Sequence, residues 1–264
     1  MRITERLKPI VEAVTARNAE RRALRPLSEL RRELIDEPAR RERFVAELRA
    51  PGLAFIAECK RRAPSSGKLS AELDLDARIE SYARGGAAAL SILTEQDHFD
   101  GRLEDLHAAP AIALPRLRKD FLIDEAMVLE AQLAGASAVL LIVACLERSA
   151  LAELREVARE AGLAVLIEAH DRAELELAAE LEPEALGVNS RDLTTFTIDL
   201  TRAVELLPHI PASCVRIAES GLHTLEDLQR VRDAGADVAL VGTALMRAED
   251  PAALLASWKE QLRG

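Results

Sequence analysis

The sequence predicts an α/β fold, a (β/α)8 TIM barrel with an N-terminal helical extension. Three observations carry this. The chain has 264 residues, a length that suits one closed barrel. Eight short apolar runs recur at a spacing of about 20–30 residues, each followed by a helical pattern. Glycine stands at helix ends just before strands, in Arg84-Gly85-Gly86-Ala87, Ala134-Gly135-Ala136, Ala161-Gly162-Leu163 and Ala234-Gly235-Ala236, where C-caps favour it.

Residues 1–49 read as helix, because Leu7, Ile10, Val11 and Val14 recur at helical spacing and 29–49 is dense in Arg, Glu and Leu. They precede the first strand, so residues 1–50 form an extension and 51–264 the barrel, within one domain overall. The strands are expected at 53–57, 87–93, 113–117, 138–143, 163–167, 185–188, 215–218 and 238–241. The helices between and after them are expected near 74–84, 102–108, 124–134, 147–161, 171–181, 199–207, 224–234 and 251–262. An open doubly wound sheet is the structural alternative. No Gly-x-Gly-x-x-Gly follows the first strand, which weighs against it.

Composition narrows the function. The net charge is -10, which argues against nonspecific nucleic-acid or anionic-membrane binding. No apolar run approaches the ~18 residues of a membrane span, and the N-terminus lacks a signal-peptide core. Cys59, Cys145 and Cys214 are widely spaced and odd in number, as suits reduced thiols in the cytoplasm. The five histidines show no metal-ligand spacing, so no metal is expected. Lysine is scarce: Lys8, Lys60, Lys68, Lys119 and Lys259 stand against 30 arginines. Lys60 and Lys119 fall at predicted strand ends. Lysine gives up a proton where arginine does not.

The strand ends hold the candidate chemistry. In a parallel barrel they converge on one mouth, where active sites form. The first run ends in Glu58 and Lys60, which strand alternation puts on one side. The third leads to Lys119, the fifth to Glu168, the sixth to Asn189 and Arg191, and the seventh to Glu219. Two lysines and three glutamates make an acid–base site with anion-binding groups. Each carboxylate read alone could instead be a salt bridge holding a strand end. His170 is read as serving the start of the next helix. Ser220-Gly221 and Gly242-Thr243 follow strands seven and eight. Small residues there bind phosphate in many barrels. The Pro64–Lys68 loop is small and polar, and is expected to be mobile until it closes over a ligand.

These residues together resemble the indole-3-glycerol phosphate synthase family over nearly the whole chain, extension included. Ile56-Ala57-Glu58-Cys59-Lys60-Arg61-Arg62-Ala63-Pro64-Ser65 is similar to its I-A-E-x-K-x-x-S-P-S signature. Leu90-Ser91-Ile92-Leu93-Thr94-Glu95, Leu117-Arg118-Lys119-Asp120-Phe121, Val188-Asn189-Ser190-Arg191-Asp192-Leu193, Glu219-Ser220-Gly221 and Val241-Gly242-Thr243-Ala244-Leu245-Met246 continue the pattern. Ala63, Ser190, Ala218 and Thr243 depart from it without removing a charged position.

The resemblance implies conversion of 1-(2-carboxyphenylamino)-1-deoxyribulose 5-phosphate to indole-3-glycerol phosphate, CO2 and water, in tryptophan biosynthesis. It implies no cofactor, and a small phosphorylated substrate as partner rather than nucleic acid or membrane; association with other enzymes of the pathway stays open. It assigns catalysis to Glu58, Lys60, Lys119, Glu168, Asn189, Glu219 and Ser220. Lys119 is expected to be the acid at ring closure. Ser65, Gly221, Gly242 and Thr243 are expected around the phosphate, Arg191 at an anionic group, and Phe99, Phe121, Leu140 and Leu193 around the aromatic ring. Two other readings stay open: a barrel like phosphoribosylanthranilate isomerase, which would want a Cys/Asp pair, and a non-catalytic phosphometabolite-binding barrel.

Overall fold

Strand β1 (Ala54–Cys59) hydrogen-bonds in parallel to both β2 (Ala89–Leu93) and β8 (Val238–Val241). Between them run β3 (Arg116–Lys119), β4 (Ala138–Ile142), β5 (Ala164–Ala169), β6 (Ala185–Asn189) and β7 (Val215–Glu219). Each pairs with its sequence neighbours, so the ring is closed and has no free edge. The computed structural model describes residues 7–35, 37, 39–63, 67–68, 74–192, 195 and 197–263. Arg62–Ala63 and Gly67–Lys68 form a short antiparallel pair beyond β1.

Side-chain alternation divides the core in two. Phe55 stacks on Trp258 with ring centroids 6.3 Å apart, so it faces the outer helices. Ala54, Ile56 and Glu58 therefore point into the barrel. On β3, Arg118 donates to the Met127 carbonyl of the neighbouring helix at 2.6 Å, which turns Leu117 and Lys119 inward. The inner layers are apolar at depth and charged only at the C-terminal rim.

Helices α4 (Leu75–Arg84), α6 (Glu125–Leu133), α7 (Arg148–Glu160), α8 (Arg172–Ala179), α9 (Leu200–Leu206), α10 (Leu225–Asp233) and α12 (Pro251–Gln261) return the chain from strand to strand. The returns end in tight turns: Gly86 and Gly135 take φ of 82° and 83°, a region other residues avoid. Two short helices, α5 (Gln96–Phe99) and α11 (Thr243–Arg247), follow β2 and β8 directly.

Two expectations need correction. Strand three begins at Arg116, not at 113. Pro115 cannot donate to a ladder; its carbonyl accepts from Leu90 N at 2.9 Å instead. The helix expected at 102–108 is a single 3-10 segment, Leu103–His107.

The N-terminal segment is three helices rather than one run: α1 (Lys8–Leu24), α2 (Leu27–Glu33) and α3 (Ala39–Leu48). Pro26 separates the first two. Arg17 and Arg22 of α1 bind Asp97 and Asp124, which follow β2 and β3, so α1 lies at the mouth. Arg41 and Arg49, in and just after α3, bind Glu184 and the Ser213 carbonyl, which precede β6 and β7. The extension thus reaches both ends of the barrel, and Leu7, Leu30, Phe44 and Leu48 bury their side chains against it.

Candidate active site

Two lysine–carboxylate groups stand at the rim. Lys60 Nζ donates to Glu58 Oε1 at 2.7 Å, the contact that same-side alternation anticipates. Ser91, paired with Glu58 in the β1–β2 register, puts its Oγ 3.5 Å from Glu58 Oε2. Opposite, Lys119 Nζ lies 3.1 Å from Glu168 Oε2 and 3.6 Å from Glu219 Oε2. Three strands, β3, β5 and β7, therefore converge on one ammonium group. The residues flanking Lys119 are clamped. Arg118 donates to Asp120 at 3.0 Å, and Thr94 Oγ1 donates to the same carboxylate at 2.5 Å. This ties the ends of β2 and β3 and fixes the base of the lysine.

The environment separates the carboxylates. Burial works against a charged Glu168, but Lys119, His170 and Asn189 overcome it and hold Glu168 well below the usual carboxylate range. Burial and then the neighbouring Glu168 charge push Glu219 up to about 8. Neither Glu219 oxygen has a hydrogen-bond partner among the described residues. Burial also opposes the charge on Lys119, yet Glu168, Glu219 and Glu58 together keep its pKa above the ordinary lysine value. Glu58 stays low despite its burial, through Lys60 and Lys119. The two carboxyls beside Lys119 are thus driven in opposite directions, Glu168 toward the charged form and Glu219 toward the protonated one. Pairs of carboxyls driven apart in this way mark acid–base sites.

The walls are partly those the sequence predicts. Phe99 and Phe121 line the apolar side of the cavity, with Asn189, Arg191 and Ser220 around it. Asn189 Oδ1 accepts from Arg191 N at 3.0 Å, so one residue braces the turn that carries the other. Leu140 is a correction: it is 1% exposed and lies below the cavity. Its place is taken by Ile142, two residues on and one layer higher on the same face of β4. Leu7 and Ile10, next to and in α1, also line the cavity. Their helical spacing is visible in the sequence, but what they face is not. Ser65 and Leu193 lie outside the described residues, as do residues 64–66 of the loop expected to be mobile.

The far end of the mouth is built from small residues. Ser220, Gly221, Gly242 and Thr243 line a polar recess with Arg191 and Lys60. Ser220 takes φ of 65°, a strained conformation for a residue with a side chain. Gly221 follows at 78°. A Cβ on Gly221 would lie 2.7 Å from Ile198 Cγ2. A Cβ on Gly242 would collide with Glu58 Oε1 and lie 2.8 Å from Lys60 Nζ. Gly242 therefore leaves room for the Glu58–Lys60 pair as well as for whatever enters the recess.

The closed parallel barrel with lysines and carboxylates gathered at its C-terminal rim is of the (β/α)8 class. Among solved structures, 3-hexulose-6-phosphate synthase from Salmonella typhimurium superposes with a TM-score of 0.64 at 15% identity, over 80% of this chain and 98% of its own. Thiamine phosphate pyrophosphorylase from Pyrococcus furiosus gives 0.60 at 15%, over 82% and 100%. These show the fold alone. The family profile described as indole-3-glycerol phosphate synthase matches residues 7–257. The protein of that name from Laribacter hongkongensis (strain HLHK9) is 44% identical over 258 residues, 95% of this chain and 97% of the relative. That from Koribacter versatilis (strain Ellin345) is 45% identical over 205 residues, 77% and 79%. The chain belongs to the indole-3-glycerol phosphate synthase family, and it is a carboxy-lyase of tryptophan biosynthesis.

Proposed function

We propose that this mouth carries out the family's ring closure, decarboxylation and dehydration through two lysine–carboxylate pairs used in turn. The observation that carries the assignment is Lys119 Nζ held between the carboxyl groups of Glu168 and Glu219, at 3.1 and 3.6 Å. The aryl carbon bearing the carboxylate attacks the ribulose ketone, and Lys119 gives its proton to the ketone oxygen. CO2 then leaves, its bonding electrons restore the aromatic ring, and a hydroxylated five-membered ring remains.

Lys119 is now neutral, and Glu168 has lost the cation beside its Oε2. A buried carboxylate without its partner is a stronger base. Lys60 protonates the ring hydroxyl, which leaves as water, and Glu168 takes the proton from the carbon next to nitrogen. That proton returns to Lys119 across 3.1 Å. Lys60 is reprotonated from solvent, so each turnover consumes one proton overall. Glu58 holds Lys60 in place. Asn189 and Ser220 orient the sugar hydroxyls, and Glu219 serves as a neutral donor beside Lys119.

The phosphate sits at Ser220-Gly221 and Gly242-Thr243, where backbone N–H groups and the start of a helix favour an anion. Arg191 lies between this end and the aromatic wall, where it can meet the substrate carboxylate. Phe99, Phe121, Ile142 and Ile10 enclose the ring. The substrate is a small phosphorylated molecule in the cytoplasm. No helix among the described residues is long and apolar enough to cross a membrane.

The test is direct. Purified protein with the carboxyphenylamino substrate should generate indole fluorescence and one CO2 per turnover without added metal or cofactor. Substrate isomerisation without CO2 release would overturn the reading.

A further inference from the structure

His170 stands directly behind Glu168, on the side away from Lys119. Its Nε2 lies 3.2 Å from Glu168 Oε1, and its Nδ1 lies 3.0 Å from Glu174 Oε2. Glu168 thus has a basic group beside each oxygen: Lys119 in a hydrogen bond to Oε2, and His170 Nε2 in a charge contact with Oε1 that lacks hydrogen-bond alignment. The imidazole is buried, and Glu174, in the first turn of α8, is only 12% exposed at its side chain. A ring between one buried and one half-buried carboxylate is favoured there as a cation.

The sequence suggests only that His170 starts the next helix. The structure gives that task to Asp171, whose Oδ1 accepts from Glu174 N at 2.8 Å. The His170 backbone also donates to Glu174 Oε2 at 2.8 Å, a bond that needs no imidazole. The ring is therefore free of the helix cap and committed to the two carboxylates.

Among the described residues, the charges that act on the ring are Glu168 and Glu174, while Arg191 and Glu58 reach Glu168 from the mouth. Cys145, in the turn after β4, feels both Glu168 and Glu174, and burial pushes its thiol up to about 12, so it stays neutral. Asn189 of β6 contributes an uncharged hydrogen bond to Glu168. Lys119 of β3 is the other cation on Glu168, and Glu219 of β7 lies on the Lys119 side.

The consequence concerns where one proton resides. In a dry site a lysine–carboxylate pair can collapse to amine and acid, because separated charges are costly there. Collapse would leave Lys119 without the proton the ketone needs. A fixed cation on the far oxygen opposes collapse by favouring the carboxylate. We propose that His170 is a positioning residue, an imidazolium anchored by Glu174 that orients Glu168 and keeps the shared proton on Lys119. This rests on the reading of Lys119 and Glu168 as acid and base. His170 itself touches no reacting atom.

Burial lowers the His170 pKa, but its contacts with Glu168 and Glu174 outweigh this and bring it to about 9. Nitrogen-15 NMR of histidine-labelled protein reads the ring without reference to activity. His107, His209 and His223 are exposed and His98 is half-buried, so His170 is the one buried ring of the five. One resonance, deleted in His170→Asn, should stay protonated until about pH 9.

In His170→Asn, kcat should fall about 10- to 100-fold with KM changed less than about threefold, and the acidic limb of the pH profile should move up by about one unit. Glu174→Gln keeps the hydrogen bonds and removes the charge. It should lower the His170 titration and bring the basic limb of kcat down with it, while the thermal midpoint holds. A His170 resonance neutral at pH 7.5, or limbs unmoved in both variants, overturns the proposal. If Glu168→Gln kept full activity, the acid–base reading itself would fail, whatever the NMR showed.

Discussion

The carboxylate of Glu219 occupies the space left by the missing side chain of Gly187. Gly187 lies on β6 beside Ile217 of β7 in the register, and a Cβ there would fall on Glu219 Oε1 and come within 3.2 Å of Leu166 Cδ1. Here the demand for glycine is space inside the barrel, not backbone freedom. Gly187→Ala must push Glu219 away from Lys119 or shift β6. Misplacing a catalytic group by about 1 Å can cost about 100-fold in rate, and overpacking a core costs about 1–3 kcal/mol. We expect kcat to fall at least about tenfold, with a lower thermal midpoint and an intact far-UV CD spectrum. Wild-type kcat would show that Glu219 does not need this position.

Lys119→Arg separates charge from proton donation. An arginine keeps a cation beside Glu168 and Glu219, but it does not release its proton at working pH. We expect kcat to drop by about 10²–10⁴-fold while product still binds in a fluorescence titration. Retention of more than about a tenth of the wild-type kcat is incompatible with general acid catalysis at this position.

Glu219→Gln should stabilise the fold while impairing catalysis. The Glu219 carboxyl titrates near its ordinary value in the unfolded chain but at about 8 in the folded one. Between those values unfolding releases a proton, so this group erodes stability as pH rises from about 4.5 toward 8. The slope approaches about 1.4 kcal/mol per pH unit at most. Below the unfolded value the effect vanishes. The variant's gain in thermal midpoint should therefore be larger at pH 8 than at pH 5. An equal gain at both would show that Glu219 is ionised in the native state.

Strand alternation made much of this site legible. Glu58 and Lys60 are two apart and meet at 2.7 Å. Lys119, Glu168, Asn189 and Glu219 each close or nearly close a strand and reach one mouth. Counting was less secure where a strand start was unclear. Leu140 and Ile142 share a face, and only the register beside Glu168 puts Ile142 on the upper layer. What the sequence could not convey is contact between distant elements. Leu7 and Ile10 read as a helix face, but their place over the cavity depends on the docking of α1 through Arg17 and Arg22. His170 looked local for the same reason: Glu174 is four residues away, whereas its significance lies in Lys119 on the far side of Glu168.

The two glycines of the recess should fail in different ways. At Gly242 a methyl group meets Glu58 Oε1 and lies 2.8 Å from Lys60 Nζ. Lys60 can move more easily than the strand, so Gly242→Ala should break the ion pair first. At Gly221 the obstacle is Ile198 Cγ2 at 2.7 Å, and the φ of 78° disfavours any side chain. Gly221→Ala should therefore distort the loop proposed to receive the phosphate. We expect Gly242→Ala to lower kcat at least about tenfold and to leave competitive inhibition by inorganic phosphate within about threefold of wild type. Gly221→Ala should weaken phosphate inhibition and raise KM by about tenfold, equivalent to about 1.4 kcal/mol, with kcat less affected. Reversal of this pattern would move the phosphate to the Lys60 side of the recess. Failure of inorganic phosphate to compete in the wild type would remove it from this end of the barrel altogether.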